Sequence, residues 1–314
     1  MRMRVILILG SVAALVAAGC APSGADGTQP QPRELRAVAA FYPLAEAVRR
    51  VGGPAVAVRD LTPPGVEPHD LELTPDDLAA IGEADLVVFL GGGFQPAVEE
   101  AVAQSGGAVL DALEGVDVLE GGGVPHADED AHADEEHDQA MDPHVWLDPL
   151  RYASIVERIA EVLAGIAPDR AGAFRANAEA FVAQLRDLDA AYRDGLASCE
   201  SRLLVVSHAA FGYLADAYGL DQAGVAGLSP EAEPDPRRLA ELEELVRSEG
   251  VRTIFTEPLA PAALTEVIAS EVGVEVAVLD PIEALTPEQV SSGADYVSVM
   301  RANLEVLRDG LRCV

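Results

Sequence analysis

From Leu35 onward, short apolar runs alternate with longer stretches whose apolar positions recur every three or four residues. The first kind reads as strand buried on both faces, the second as helix packed by one face. In the first half the pattern predicts strands over Leu35–Phe41, Ala55–Leu61, Asp85–Leu90 and Ala108–Leu113. Helices fall between them over Leu44–Val51, from Thr74 onward, and over Phe94–Gln104. Thr74-Pro-Asp-Asp77 is a strong helix start, with a capping hydroxyl, proline at the first helical position and early acids for the helix dipole. A second series follows, with strands over Arg202–Val206, Gln222–Leu228, Thr253–Thr256 and Val274–Leu279. Its helices are Phe211–Tyr218, Asp235–Ser248, Pro261–Val272 and a closing Ala294–Arg308. Strands alternating with helices imply an α/β fold of two lobes, each a mostly parallel four-stranded sheet flanked by helices.

Two helical stretches lie between the series, Leu150–Ile166 and Asp169–Ala197, separated by Pro168. The second places Phe174, Ala178, Phe181, Leu185, Leu188 and Tyr192 on one stripe. At about 1.5 Å per residue it reaches roughly 40 Å, the dimension of a lobe. It is therefore expected to be one long rigid helix joining the lobes. The domain reading is a first lobe over 35–167, a connecting helix over 168–197 and a second lobe over 198–314.

The N-terminus has a different character. Arg2 and Arg4 precede an apolar run over Val5–Ala17 that ends in Ala17-Ala-Gly-Cys20. This is the pattern of a secretory signal over 1–19, too short to span a membrane comfortably. Ala-Ala-Gly-Cys also resembles a bacterial lipobox, which implies diacylation of Cys20 and retention at the outer face of the cytoplasmic membrane. The Pro, Gly, Ser and Gln-rich residues 20–34 then read as a flexible tether.

With nearly half its residues apolar, the chain has enough material for a full core, so global disorder is excluded. The formal net charge of −32 makes nucleic acid a poor partner and cations the natural ligands. The acids concentrate in a loop over 122–141, where no strand or helix period survives and where His126, His132 and His137 sit. That loop is expected to be mobile, with a role in gathering zinc left open. Cys199 and Cys313 could pair in an oxidising exterior, but sequence does not say whether their Cα atoms are close enough.

His69, His144, His208 and Asp280 are the candidate metal ligands. His208 ends Leu-Leu-Val-Val-Ser-His, and Asp280 ends Val-Ala-Val-Leu-Asp. His69 follows a strand after a Pro-Pro-Gly turn, and His144 leads out of the acidic loop into the first long helix. Ligands of open α/β sheets bind beyond the carboxyl ends of the strands, so two facing sheets would bring these residues together. Three imidazoles and a carboxylate suit tetrahedral Zn²⁺ at about 2.0–2.2 Å, and four protein ligands leave no position for a catalytic water. Zinc competes with protons for imidazole, so affinity should fall as pH drops below about 6.5.

Several motifs in order then carry a family resemblance: Glu67-Pro-His-Asp70, Thr74-Pro-Asp-Asp77, Asp142-Pro-His-Val-Trp-Leu-Asp148, Val-Ser-His208 with Phe211, Thr256-Glu-Pro258 and Leu279-Asp-Pro281. From about Leu35 to the C-terminus the chain resembles the zinc-uptake substrate-binding lipoproteins of ABC transporters, a group with manganese-binding relatives and members once called adhesins. The resemblance implies two α/β lobes joined by one rigid helix, with His69, His144, His208 and Asp280 as ligands. It also implies Zn²⁺ as the transported substrate and an ABC permease as partner. Manganese members resemble this chain except for glutamate at the third ligand position, so His208 points to zinc. The expected protein is a monomer, not an enzyme, anchored through Cys20 at the extracytoplasmic face of the membrane. Two other readings stay open: an extracellular zinc-dependent hydrolase with Glu257 as its base, and a surface adhesin whose metal is structural.

Overall fold

A computed structural model describes residues 33–69, 71–119, 141–230, 236–260 and 262–314. Within Glu34–Val314 the chain builds β1 (Leu35–Ala39), α1 (Tyr42–Gly52), β2 (Val56–Asp60), α2 (Pro75–Glu83), β3 (Leu86–Phe89), α3 (Pro96–Ala101) and β4 (Ala108–Asp111). Two long helices follow, α4 (Pro149–Ile166) and α5 (Ala171–Gly195). The second series is β5 (Leu203–Val206), α6 (Gly212–Tyr218), β6 (Asp221–Gly224), α7 (Pro236–Ser248), β7 (Thr253–Thr256), α8 (Ala263–Val272), β8 (Glu275–Val278), α9 (Pro287–Ser292) and α10 (Tyr296–Leu311).

The strands form two four-stranded sheets, ordered β2-β1-β3-β4 and β6-β5-β7-β8. Every pairing is parallel. This repeated order matches the two α/β series read from the hydrophobic pattern. The inner strands are apolar throughout because helices cover both faces: Leu86, Val87 and Val88 of β3 are fully buried. α2 starts where the Thr74 signal placed it, with Thr74 and Asp77 exchanging both bonds of a capping box.

The anticipated stripe of α5 is buried, together with Val182. α5 packs along α4 and touches both α1 and α10, and Tyr192 donates its hydroxyl proton to the Met300 carbonyl of α10 at 2.7 Å. Further bonds tie the lobes directly. Trp146 donates its indole proton to the Pro281 carbonyl at 2.7 Å, and the Tyr296 hydroxyl donates to the Trp146 carbonyl. Gly65 donates its N–H to the Leu285 carbonyl. One apolar core therefore runs from Val38 and Phe41 through α4 and α5 to Phe211 and Leu307. A smaller core around Val205, Leu242, Ile254 and Ile268 lies under α7 and α8.

Three features go beyond the pattern. α9 was not anticipated, because Pro287–Ser292 carries a single apolar residue, Val290; its signal is the Thr286–Gln289 capping box. β6 ends at Gly224 rather than running on to Leu228. Cys199 and Cys313 are joined by a disulfide across an antiparallel bridge. Among the described residues no helix is long and apolar enough to cross a membrane. The expected signal segment 1–19, Cys20, the tether as far as residue 32, and His126, His132 and His137 of the acidic loop lie outside the described residues.

Candidate metal centre

Beyond the carboxyl ends of the strands, four side chains from four separate segments converge. His69 sits between β2 and α2. The Gln95 side-chain amide, entering α3, donates to the Pro68 carbonyl at 3.1 Å. Phe94 presses edge-on against the His69 ring, with centroids 4.6 Å apart. His144 is held by Asp142, whose Oδ1 accepts both its backbone N–H at 2.9 Å and its ring Nδ1–H at 2.8 Å. His208 follows β5 and is held in the same way by Glu257, which follows β7: Oε1 accepts the His208 N–H at 3.2 Å and the Nδ1–H at 2.7 Å. In both pairs a carboxylate fixes the ring and leaves Nε2 facing the centre.

The fourth side chain is Glu283. Its Oε1 lies 3.3 Å from Nε2 of His69, 3.1 Å from that of His144 and 3.3 Å from that of His208. The His144 and His208 Nε2 atoms are 3.3 Å apart. A tetrahedron with zinc bonds of about 2.0–2.1 Å has edges of about 3.3–3.4 Å, so these four separations match the donor spacing of a zinc site. Among the described residues, His69, His144, His208 and Glu283 are the group able to offer ligand atoms to one ion, all within 4.8 Å of one another.

Asp280, expected beside the three histidines, does not join this group. Its Oδ1 accepts the Ile282 N–H and its Oδ2 accepts from the Gln289 side chain, each at 2.7 Å. Asn303 of α10 clasps the Asp280 backbone from both sides. Asp280 is thus the pin of a turn. Ile282 at its apex is buried with φ at 58°, a left-handed conformation that a β-branched residue adopts only when its surroundings enforce it. The turn delivers the longer side chain of Glu283 into the centre.

Burial is uneven. The side chains of His144 and His208 are fully buried and that of Glu283 is 2% exposed, whereas His69 is 11% exposed. Burial alone would favour neutral imidazoles, but at His144 the hydrogen bonds to Asp142 and Glu283 outweigh it and raise the pKa. At His208 burial is likewise overcome by Glu257 and Glu283, and the pKa is pushed up to about 10. Burial would raise the Glu283 carboxyl, yet its bonds to the three imidazoles hold it well below the usual carboxylate range. Nearby Glu67, half-buried and facing the Glu283 charge, is pushed up to about 9.

Comparison with known proteins places these observations. The chain matches the model of the family described as zinc-uptake complex component A, periplasmic, over residues 37–310. It belongs to that family. The zinc-binding lipoprotein AdcA of Streptococcus pneumoniae is 37% identical over 97% of this chain, and the chain spans 60% of that relative's length. The high-affinity zinc uptake system protein ZnuA of Bacillus subtilis is 35% identical over 95% of this chain and 94% of its own. The crystal structure of the Zn(II)-bound ZnuA-like domain of Streptococcus pneumoniae AdcA superposes with a TM-score of 0.74 at 35% identity, covering 88% of this chain and 99% of that one. The laminin-binding protein Lmb of Streptococcus agalactiae gives 0.74 at 29% identity, covering 88% and 99%.

In this zinc-uptake family member the sequence reading located all three histidines of the cluster and missed Glu283. The usable signal was Asp280-Pro281 itself. An aspartate at a chain reversal binds the backbone two residues on, so the next acid along was the freer one. Glu257, the base a hydrolase would need, is occupied at Nδ1 of the His208 ring, away from the Nε2 that faces the cluster.

Proposed function

We propose that the protein is an extracytoplasmic receptor that binds one Zn²⁺ through His69, His144, His208 and Glu283 and delivers it to an ABC importer. The observation that carries this reading is the convergence of three Nε2 atoms and Glu283 Oε1, with four of their separations at 3.1–3.3 Å. Three imidazoles and one carboxylate favour zinc over manganese, which prefers more oxygen ligands. Four protein ligands saturate the ion and leave it nothing to activate, so the site carries metal rather than performing hydrolysis. The names of the relatives support the same direction. In this reading 35–167 and 198–314 are the two lobes, 168–197 the connector, Cys20 the lipidation site that keeps a monomeric receptor at the membrane, and the permease its partner.

The test is to load the metal-free protein with Zn²⁺, remove excess and determine bound metal by elemental analysis. One tight equivalent per chain is expected, with less retained by His208→Ala. Absence of a tight equivalent in the unaltered protein, or full retention by His208→Ala, overturns the reading.

A further inference from the structure

We propose that Gly212 is a positioning residue for the metal centre: it leaves the space that the Asp142 carboxylate needs in order to orient His144. The inference rests on the zinc reading for its affinity arm and on geometry alone for its other arm.

Asp142 is 1% exposed and its two oxygens are used unequally. Oδ1 takes both bonds from His144, while Oδ2 is buried with no hydrogen-bond partner among the described residues. Oδ2 faces α6 of the other lobe. A Cβ added to Gly212 would lie 2.4 Å from it, closer than a real Cβ contact ever comes, and the next atoms are 3.7 Å away. The clash is therefore with one atom.

The ordinary reasons for glycine are missing at this position. Gly212 is the first residue of a helix and has no left-handed backbone angle. Alanine is the better helix former there, so the backbone gives no cause to prefer glycine and the Asp142 carboxylate does. The next residue along grips the same segment. The Tyr213 hydroxyl donates to the Asp142 carbonyl at 2.8 Å and accepts the Leu119 N–H at 3.0 Å. The first turn of α6 is thus a seat for Asp142, and a ligand contributed by the first lobe is aimed by a carboxylate lodged against the second.

Adding a methyl group at Gly212 must swing the carboxylate away, because Oδ2 cannot recede while Oδ1 stays on the ring. Releasing a carboxylate that orients a ligating histidine weakens metal binding by about 10–100-fold.

The experiment compares Gly212→Ala, Asp142→Ala and the double variant in the full chain. It reads the Zn²⁺ dissociation constant by chelator competition and the downfield His144 Nδ1–H proton resonance in metal-free protein. Gly212→Ala should lose the resonance and weaken zinc binding at least tenfold. In the Asp142→Ala background the same change should cost less than twofold, since no carboxylate remains to displace. Should Gly212→Ala fail to fold, the double variant should fold; failure of both places the clash elsewhere and overturns the proposal. An unchanged resonance, or an equal affinity loss in both backgrounds, also overturns it. If the unaltered protein binds no Zn²⁺, the receptor reading fails and the resonance alone decides the role of Gly212.

Discussion

Replacing Glu283 by Gln and, separately, Asp280 by Asn distinguishes the ligand that the geometry selects from the one nearest the strand end. The first change keeps the shape of the side chain and removes the charge that faces three Nε2 atoms at 3.1–3.3 Å. A complete four-ligand zinc site is worth roughly 10–16 kcal/mol, so one ligand carries about 2.5–4 kcal/mol. At about 1.4 kcal/mol per decade that is a loss of two to three orders in affinity. Part of it is offset, because the same charge raises the proton affinity of His144 and His208. Relieving that competition returns on the order of one decade. The net expectation for Glu283→Gln is about 10–100-fold weaker binding. Asp280→Asn keeps an oxygen for the Ile282 N–H and loses only the Gln289 bond, so less than about a tenfold loss is expected. Competition against a chromophoric zinc chelator at pH 8 measures both. Equal losses in the two variants, or a larger one for Asp280→Asn, would refute the assignment of Glu283.

The proton held by His208 shifts the pH window upward from the one expected for a free imidazole. With its pKa raised to about 10, His208 in the metal-free protein stays charged through neutral pH and sheds its proton as pH rises toward that value. Zinc must displace that proton, so affinity should rise about tenfold per pH unit per proton displaced, from about pH 6.5 upward; titrations at pH 6.5, 7.5 and 8.5 giving one constant would contradict this. Replacing both Cys199 and Cys313 by Ser opens a bridge spanning 114 residues and should cost about 2–4 kcal/mol in urea unfolding; an unchanged midpoint would count against it. Trp146→Phe strands the Pro281 carbonyl in the seam between the lobes and should cost about 1–3 kcal/mol by the same measurement.

What was legible in the chain follows from how local each signal is. The strands announce themselves because residues such as Leu86–Phe89 are apolar without interruption, and His208 inherits its place by following one directly. Asp280 was named for the same reason, but its carboxylate lies outside the cluster. The reversal at Pro281 and Ile282 turns the aspartate back on its own backbone, and a buried left-handed isoleucine is a product of tertiary packing that no residue count reveals. The α9 helix was missed because hydrophobic periodicity cannot register a helix with one apolar residue, although its capping box was in plain sight. The contact between Gly212 and Asp142 joins residues 70 positions apart and is invisible without the fold.

Among the described residues, the 11% exposure of His69, set against the sealed side chains of His144, His208 and Glu283, makes that imidazole the solvent-facing edge of the cluster. In the proposed receptor, the bond to His69 is the one that solvent would reach first, so release would begin there.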